Sequence, residues 1–72
     1  MIVKQDRKRC IGCGYCADFS PSFWEMNNTD GKADFLNSHL KGNIYNYKPL
    51  SFEEEEFRKT AELCPVKVII IE

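Results

Sequence analysis

Cys10-Ile11-Gly12-Cys13-Gly14-Tyr15-Cys16 sets three thiols at two-residue gaps, and Leu63-Cys64-Pro65-Val66 supplies a fourth far downstream. The chain has no other cysteine. Thiolates are soft ligands that suit zinc or an iron–sulfur cluster. Zinc sites more often pair two C-x-x-C knuckles, whereas a cysteine triplet with a distant Cys-Pro favours a cubane iron–sulfur cluster. Gly12 and Gly14 lie among the thiols, where the backbone has to curl around a bulky group without a Cβ in the way. The fourth thiol must return to the first three, so the strands flanking the two cysteine regions are expected to pair.

The chain has 72 residues. Residues 1–72 are expected to form one domain, and a chain of this length buries only ~60% of the surface its unfolded form exposes. Small domains of this kind are usually stapled by disulfides, a metal or oligomerisation. A bound cluster would make metal-binding energy part of folding energy, leaving the metal-free chain partly or wholly unfolded. Two disulfides in a secreted protein are the alternative use of four cysteines. Against it, Met1 to Arg9 turns charged after two apolar residues and carries no apolar signal core. Three cysteines within seven positions also suit convergence on one metal site better than cross-linking. Asn27-Asn28-Thr29 matches a glycosylation sequon, which in a cytoplasmic chain is chance.

The longest apolar run, Val68 to Ile71, is strand-sized and far short of the ~18 residues of a membrane span. Ten Lys and Arg against eleven Asp and Glu give a formal charge of −1, which points to neither nucleic acid nor membrane. The charge is nonetheless polarised. Lys4, Arg7, Lys8 and Arg9 stand just before the cysteine run, and Glu53 to Glu56 form an acidic block near the far end.

Ile2 to Gln5 reads as a first strand, and Cys16 to Phe19 as a short helical turn stopped by Pro21. Phe23 to Met26 and Lys32 to Leu36 flank Asn27-Asn28-Thr29-Asp30-Gly31, whose Asp-Gly pair signals a hairpin. Asn37 to Pro49 shows no sustained period and reads as a loop. Ser51 opens the clearest helix, with Ser51 and Glu54 spaced as a capping box and Glu53 to Glu56 at the positive end of the helix dipole. Phe57, Ala61 and Cys64 share one helix face, Pro65 ends the helix, and Val66 to Ile71 is a β-branched last strand. The order is β, cysteine loop, α, β-hairpin, α, β. Trp24, Phe19, Phe23, Phe35 and Phe57 are core residues on this reading. Tyr15 covers the loop, and His39 is an exposed loop histidine.

These segments resemble the bacterial-type ferredoxins with a single [4Fe–4S] cluster. Asp6 to Cys16 is similar to that family's D-x-x-x-C-I-G-C-G-x-C, and Ser20 to Met26 to its A-P-x-x-F-x-x stretch. Asp30-Gly31-Lys32-Ala33 is similar to its D-G-K-A hairpin, and Leu63-Cys64-Pro65-Val66 to its ending before the last strand. The matches cover most of the chain in family order. The resemblance implies an α+β, ferredoxin-like βαββαβ fold with two short helices packed on a small antiparallel sheet.

With no second triplet, the resemblance also implies that Cys10, Cys13, Cys16 and Cys64 all bind one cluster. Its function would be that of a one-electron carrier of low potential, not an enzyme, serving redox enzymes in the cytoplasm as a monomer. Three features depart from the family. The chain is nearly neutral, with Arg7, Lys8 and Arg9 as a candidate docking patch. Gln5 stands where the first strand usually has an apolar residue. The link from Asn37 to Pro49 is long. The competing reading is a structural four-cysteine metal site, iron–sulfur or zinc, in a module of a larger assembly. A sensor or enzyme with an open iron fits less well, because Cys64 would fill the vacancy.

Overall fold

A computed structural model describes residues 1–72. Its strands are β1 (Val3–Gln5), β2 (Trp24–Met26), β3 (Ala33–Phe35), β4 (His39–Lys41), β5 (Ile44–Tyr47) and β6 (Ile69–Ile71). Its α-helices are α1 (Tyr15–Phe19) and α2 (Glu54–Leu63), and single 3₁₀ turns cover Arg7–Arg9 and Ser51–Glu53. The fold is α+β with two helices and antiparallel strands, as expected. The strands divide between two sheets: a four-stranded one in the order β4-β5-β1-β6, and the separate hairpin β2-β3. No helix is long and apolar enough to cross a membrane.

The short strand β1 is central because both of its edges are paired. Val3 faces Ile71 on β6 and Tyr47 on β5, and Gln5 faces Ile69 and Tyr45. Two further bonds, Ile2 N–H to Glu72 O and Glu72 N–H to Ile2 O, each 2.8 Å, extend the β1–β6 ladder. The expected pairing of first and last strands is therefore present.

The segment Asn37–Pro49, expected to be a loop, is instead the hairpin β4–β5 laid along β1. Lys41 pairs with Ile44 across a two-residue turn, and Gly42 holds φ +61°. Glycine at the first turn position is what a type II′ hairpin requires. The sequence hides this hairpin for a physical reason. All of β4 is exposed and every residue of β5 is half-buried, so neither strand shows a period-two pattern. What seats β5 is Tyr47. Its ring lies 5.4 Å from Phe57 and 5.8 Å from Phe35, and its hydroxyl donates to Glu53 Oε1 at 3.0 Å.

The β2–β3 hairpin follows the sequence closely. Asn27 Oδ1 accepts Thr29 N–H at 2.8 Å, Asp30 Oδ1 accepts Lys32 N–H at 3.0 Å, and Gly31 takes φ +73°. Trp24 pairs with Phe35 in register, and their rings stack at 4.5 Å. These two and Phe57 form the aromatic centre of a core completed by Val3, Ala33, Val68, Ile69, Cys16 and Cys64. Phe23 packs on its edge, 4.4 Å from Phe57.

Four details differ from the sequence reading. Phe19 is exposed rather than in the core, because α1 meets α2 through small hydroxyls instead. Ser20 Oγ bonds Thr60 Oγ1 at 2.8 Å, and Thr60 Oγ1 donates to the Glu56 carbonyl. The cap of α2 is set one residue earlier than expected. The 3₁₀ turn puts Glu53, not Glu54, in place to accept Leu50 N–H at 2.9 Å, and Ser51 makes no side-chain cap. The last strand starts at Ile69 rather than Val66, because Lys67 turns the chain with φ +53° after Pro65. Finally, His39 is exposed as expected but lies on β4.

Phe57 is fully buried, and Phe52 is 81% exposed. Phe57→Ala is expected to lower the unfolding free energy of the loaded protein by about 3–5 kcal/mol, as ring removal does in tight cores. Phe52→Ala should stay within about 0.5 kcal/mol. Chemical denaturation of the two variants in parallel checks this.

Candidate metal centre

The cysteine loop leaves β1 through the 3₁₀ turn Arg7–Arg9, and Cys10 N–H closes that turn on Arg7 O at 3.1 Å. Beyond Cys10 the loop bends at Gly12, φ +75°, and Gly14, φ +83°. A Cβ on Gly12 would collide with the Gly31 carbonyl oxygen, so this glycine lets the loop close against the β2–β3 turn. Gly14 has open space around it and is needed only for its left-handed backbone, from which α1 starts.

The four cysteines come from different elements to one cavity. Cys10 and Cys13 stand on the loop, half-buried and exposed respectively, while Cys16 is buried in α1. Cys64 is buried at the C-cap of α2, where the following proline holds it extended at φ −71°, ψ 114°. Ile11, Val66, Val68 and Ile69 give the cavity its apolar walls. All four thiols are free. Four thiols lining one cavity is what a multi-iron cage asks of its ligands. The N–H groups of residues 11–14 donate to no carbonyl in the loop and turn network. They are free to donate to another group.

Burial pushes the Cys16 thiol up to about 11, and the nearby Cys10, Cys13 and Cys64 add to the rise. Four thiolates therefore resist gathering here on their own. A metal that carries positive charge overcomes this and releases the protons. The donor set, the surrounding geometry and the spare N–H groups all fit an iron–sulfur cluster.

Arg7 has a different setting from the one its place in a basic run implies. It donates to Asp34 Oδ1 through Nε at 2.9 Å and grips Asp30 with Nη1 and Nη2 at 2.8 and 3.0 Å. The bond from Arg7 holds the Asp30 carboxyl below the usual carboxylate range. Arg7 therefore clamps the base of the cysteine loop to the β2–β3 hairpin, and two carboxylates offset its charge. Lys32 Nζ adds a bond to Lys8 O at 2.7 Å. Lys8 and Arg9 remain exposed, with Asp6 3.9 Å from Arg9. Tyr15 is exposed over the loop. The sequence reading missed the clamp because Asp30 and Asp34 are 23 and 27 residues from Arg7. It noted Gln5 only as a departure, and Gln5 proves to line the same cavity as the cysteines.

Residues 3–71 match the family described as a 4Fe-4S single cluster domain. The chain is 35% identical to a ferredoxin of Thermococcus litoralis over 72 residues, covering all of both chains. Its fold is similar to the solved structure of a variant of Hydrogenobacter thermophilus ferredoxin 1. That match has a TM-score of 0.77 and 25% identity, and it covers 99% of this chain and 94% of the other. The chain belongs to the single-cluster 4Fe-4S domain family. It is a small iron–sulfur electron carrier with one [4Fe–4S] cluster, not an enzyme.

The two loop glycines are expected to differ in cost. Gly12→Ala meets both a collision and an unfavourable φ, whereas Gly14→Ala meets only the latter, about 1–2 kcal/mol. Gly12→Ala should therefore lose more bound iron and more thermal stability than Gly14→Ala. Iron and sulfide analysis with thermal melts distinguishes the two.

Proposed function

We propose that Cys10, Cys13, Cys16 and Cys64 are the four ligands of the cluster. The observation that carries this is their shared lining of one cavity, reached from a loop, from α1 and from the end of α2. When bound, the cluster takes up one electron and gives it back. The chain's part is to hold the four thiolates, to exclude water with Ile11, Val66, Val68 and Ile69, and to aim spare N–H dipoles of the loop at the sulfurs. Such dipoles favour the reduced state. Residues 1–72 act as one unit, since the ligands span Cys10 to Cys64 and the ladder joins Ile2 to Glu72.

The carrier serves redox enzymes at low potential, as a monomer. It docks beside Cys13, the exposed thiol, with Lys8 and Arg9 at the rim. Arg7 belongs to the same basic run, but its clamp on Asp30 and Asp34 makes it a structural support of the patch more than a contact. Rim charges act mainly on association rate. Reduced thiols and an iron–sulfur site suit the cytoplasm.

The protein purified without oxygen is expected to be brown, to bleach with dithionite and to gain a spin signal. Replacing any one of the four cysteines by Ser should remove or alter both spectra, and a Cys64→Ser variant with unchanged spectra would exclude Cys64 as a ligand. Lys8→Gln with Arg9→Gln should make the potential more negative in low salt and less so in high salt, because exposed charges are screened. Potentiometric titration at two ionic strengths reads this.

A further inference from the structure

Gln5 is the one side chain lining the cysteine cavity that is neither apolar nor a thiol. It sits at the centre of the four-stranded sheet between Tyr45 and Ile69, and it is 1% exposed. Nε2 donates to the Ala33 carbonyl at 3.0 Å, and Oε1 has no partner. An amide carries two N–H hydrogens, and one of these is engaged with Ala33. Turning the amide over would set two oxygens against each other at Ala33, so that bond fixes its orientation. Oε1, an acceptor, finds no donor, and only one of the two Nε2 hydrogens is engaged, by Ala33. An amide left so is costly in an apolar setting, and Leu or Val in this strand would avoid the cost. Among the side chains around the cavity, the only acceptors for the second hydrogen are the four sulfurs.

We propose that Gln5 gives its second amide hydrogen to a sulfur of the cluster site and so raises the reduction potential. The proposal rests on the reading of the four cysteines as ligands. No bond is made or broken when the electron arrives from the redox partner. The N–H dipole favours the state with the greater negative charge on sulfur. Ala33 anchors the amide from β3, and β1 holds its stem between two paired strands. The amide is therefore held in one orientation by Ala33.

Two variants and one labelling measurement test this on the cluster-loaded protein. Gln5→Leu and Gln5→Met remove the donor at similar volume. Both are expected to keep the visible spectrum of the cluster and to shift the potential to more negative values. A potential that is unchanged or less negative in a spectrally intact variant overturns the proposal.

Gln5 is the only glutamine in the chain, so ¹⁵N in the glutamine side chain labels this site alone. The reduced wild-type protein should show a ¹⁵N hyperfine coupling, together with an exchangeable deuterium coupling in heavy water. Absence of the ¹⁵N coupling also overturns the proposal, and this measurement decides the matter if either variant fails to load. Failure of the ligand reading has a different signature: Cys→Ser variants with unchanged spectra, whatever the Gln5 variants do.

Discussion

Cys64 reaches the other three thiols because β6 returns antiparallel against β1. The cysteine loop leaves the C-terminal end of β1, and β6 enters alongside that end, with Gln5 facing Ile69. The turn from Cys64 to Val68 is fastened there by Asp6 N–H to Val68 O at 2.9 Å. A ladder three residues long is weak by itself. Here it closes most of the chain into one loop and has few other means of doing so. With the proposed ligands, cluster binding across the same two segments would add a second closure at the same place. Without metal, the buried Cys16 resists the charge that such ligation needs.

Around this closure the protein economises on core. Three aromatic rings, Trp24, Phe35 and Phe57, fill its centre, and Tyr47 completes their packing from the added hairpin. The hairpin covers the edge of β1 that would otherwise offer unpaired backbone groups to another chain. It leaves β4, exposed and carrying His39 and Lys41, as the outer edge. Phe57 ties α2 into the core. It anchors the aromatic cluster from the same helix whose end presents Cys64, so packing in the core and placement of the fourth thiol are coupled.

Electrostatics near the loop divide the basic residues by role. Arg7 is engaged by two aspartates of the β2–β3 hairpin and serves as a tie between that hairpin and the cysteine loop. Lys8 and Arg9 keep their charge toward solvent. A run that looks uniform in one dimension thus contains one structural cation and two available ones. The same hairpin supplies the Gly31 carbonyl against Gly12 and the Ala33 carbonyl that holds Gln5, so β2–β3 buttresses the cysteine cavity without contributing a thiol.

Local chemistry is what the sequence determined by itself. The C-x-x-C-x-x-C run declared a three-thiol loop, and Cys64-Pro65 a fourth thiol where a helix ends. Asp30-Gly31 declared a hairpin, the acidic block before Phe57 declared the start of a helix, and the β-branched ending declared a strand. Each of these depends on residues within a few positions of one another, where spacing and backbone preference are decisive. Tertiary structure decided the rest. Asn37–Pro49 became paired strands because β1 and the aromatic cluster received it, not through any alternation of its own. Phe19 was left outside because Ser20 and Thr60 close the contact between the helices. Arg7 found its carboxylates, and Gln5 found the cysteine cavity, only once strands distant in sequence lay side by side. A charge or an amide has no fixed role in sequence, since its energy is set by the groups that burial and pairing place around it.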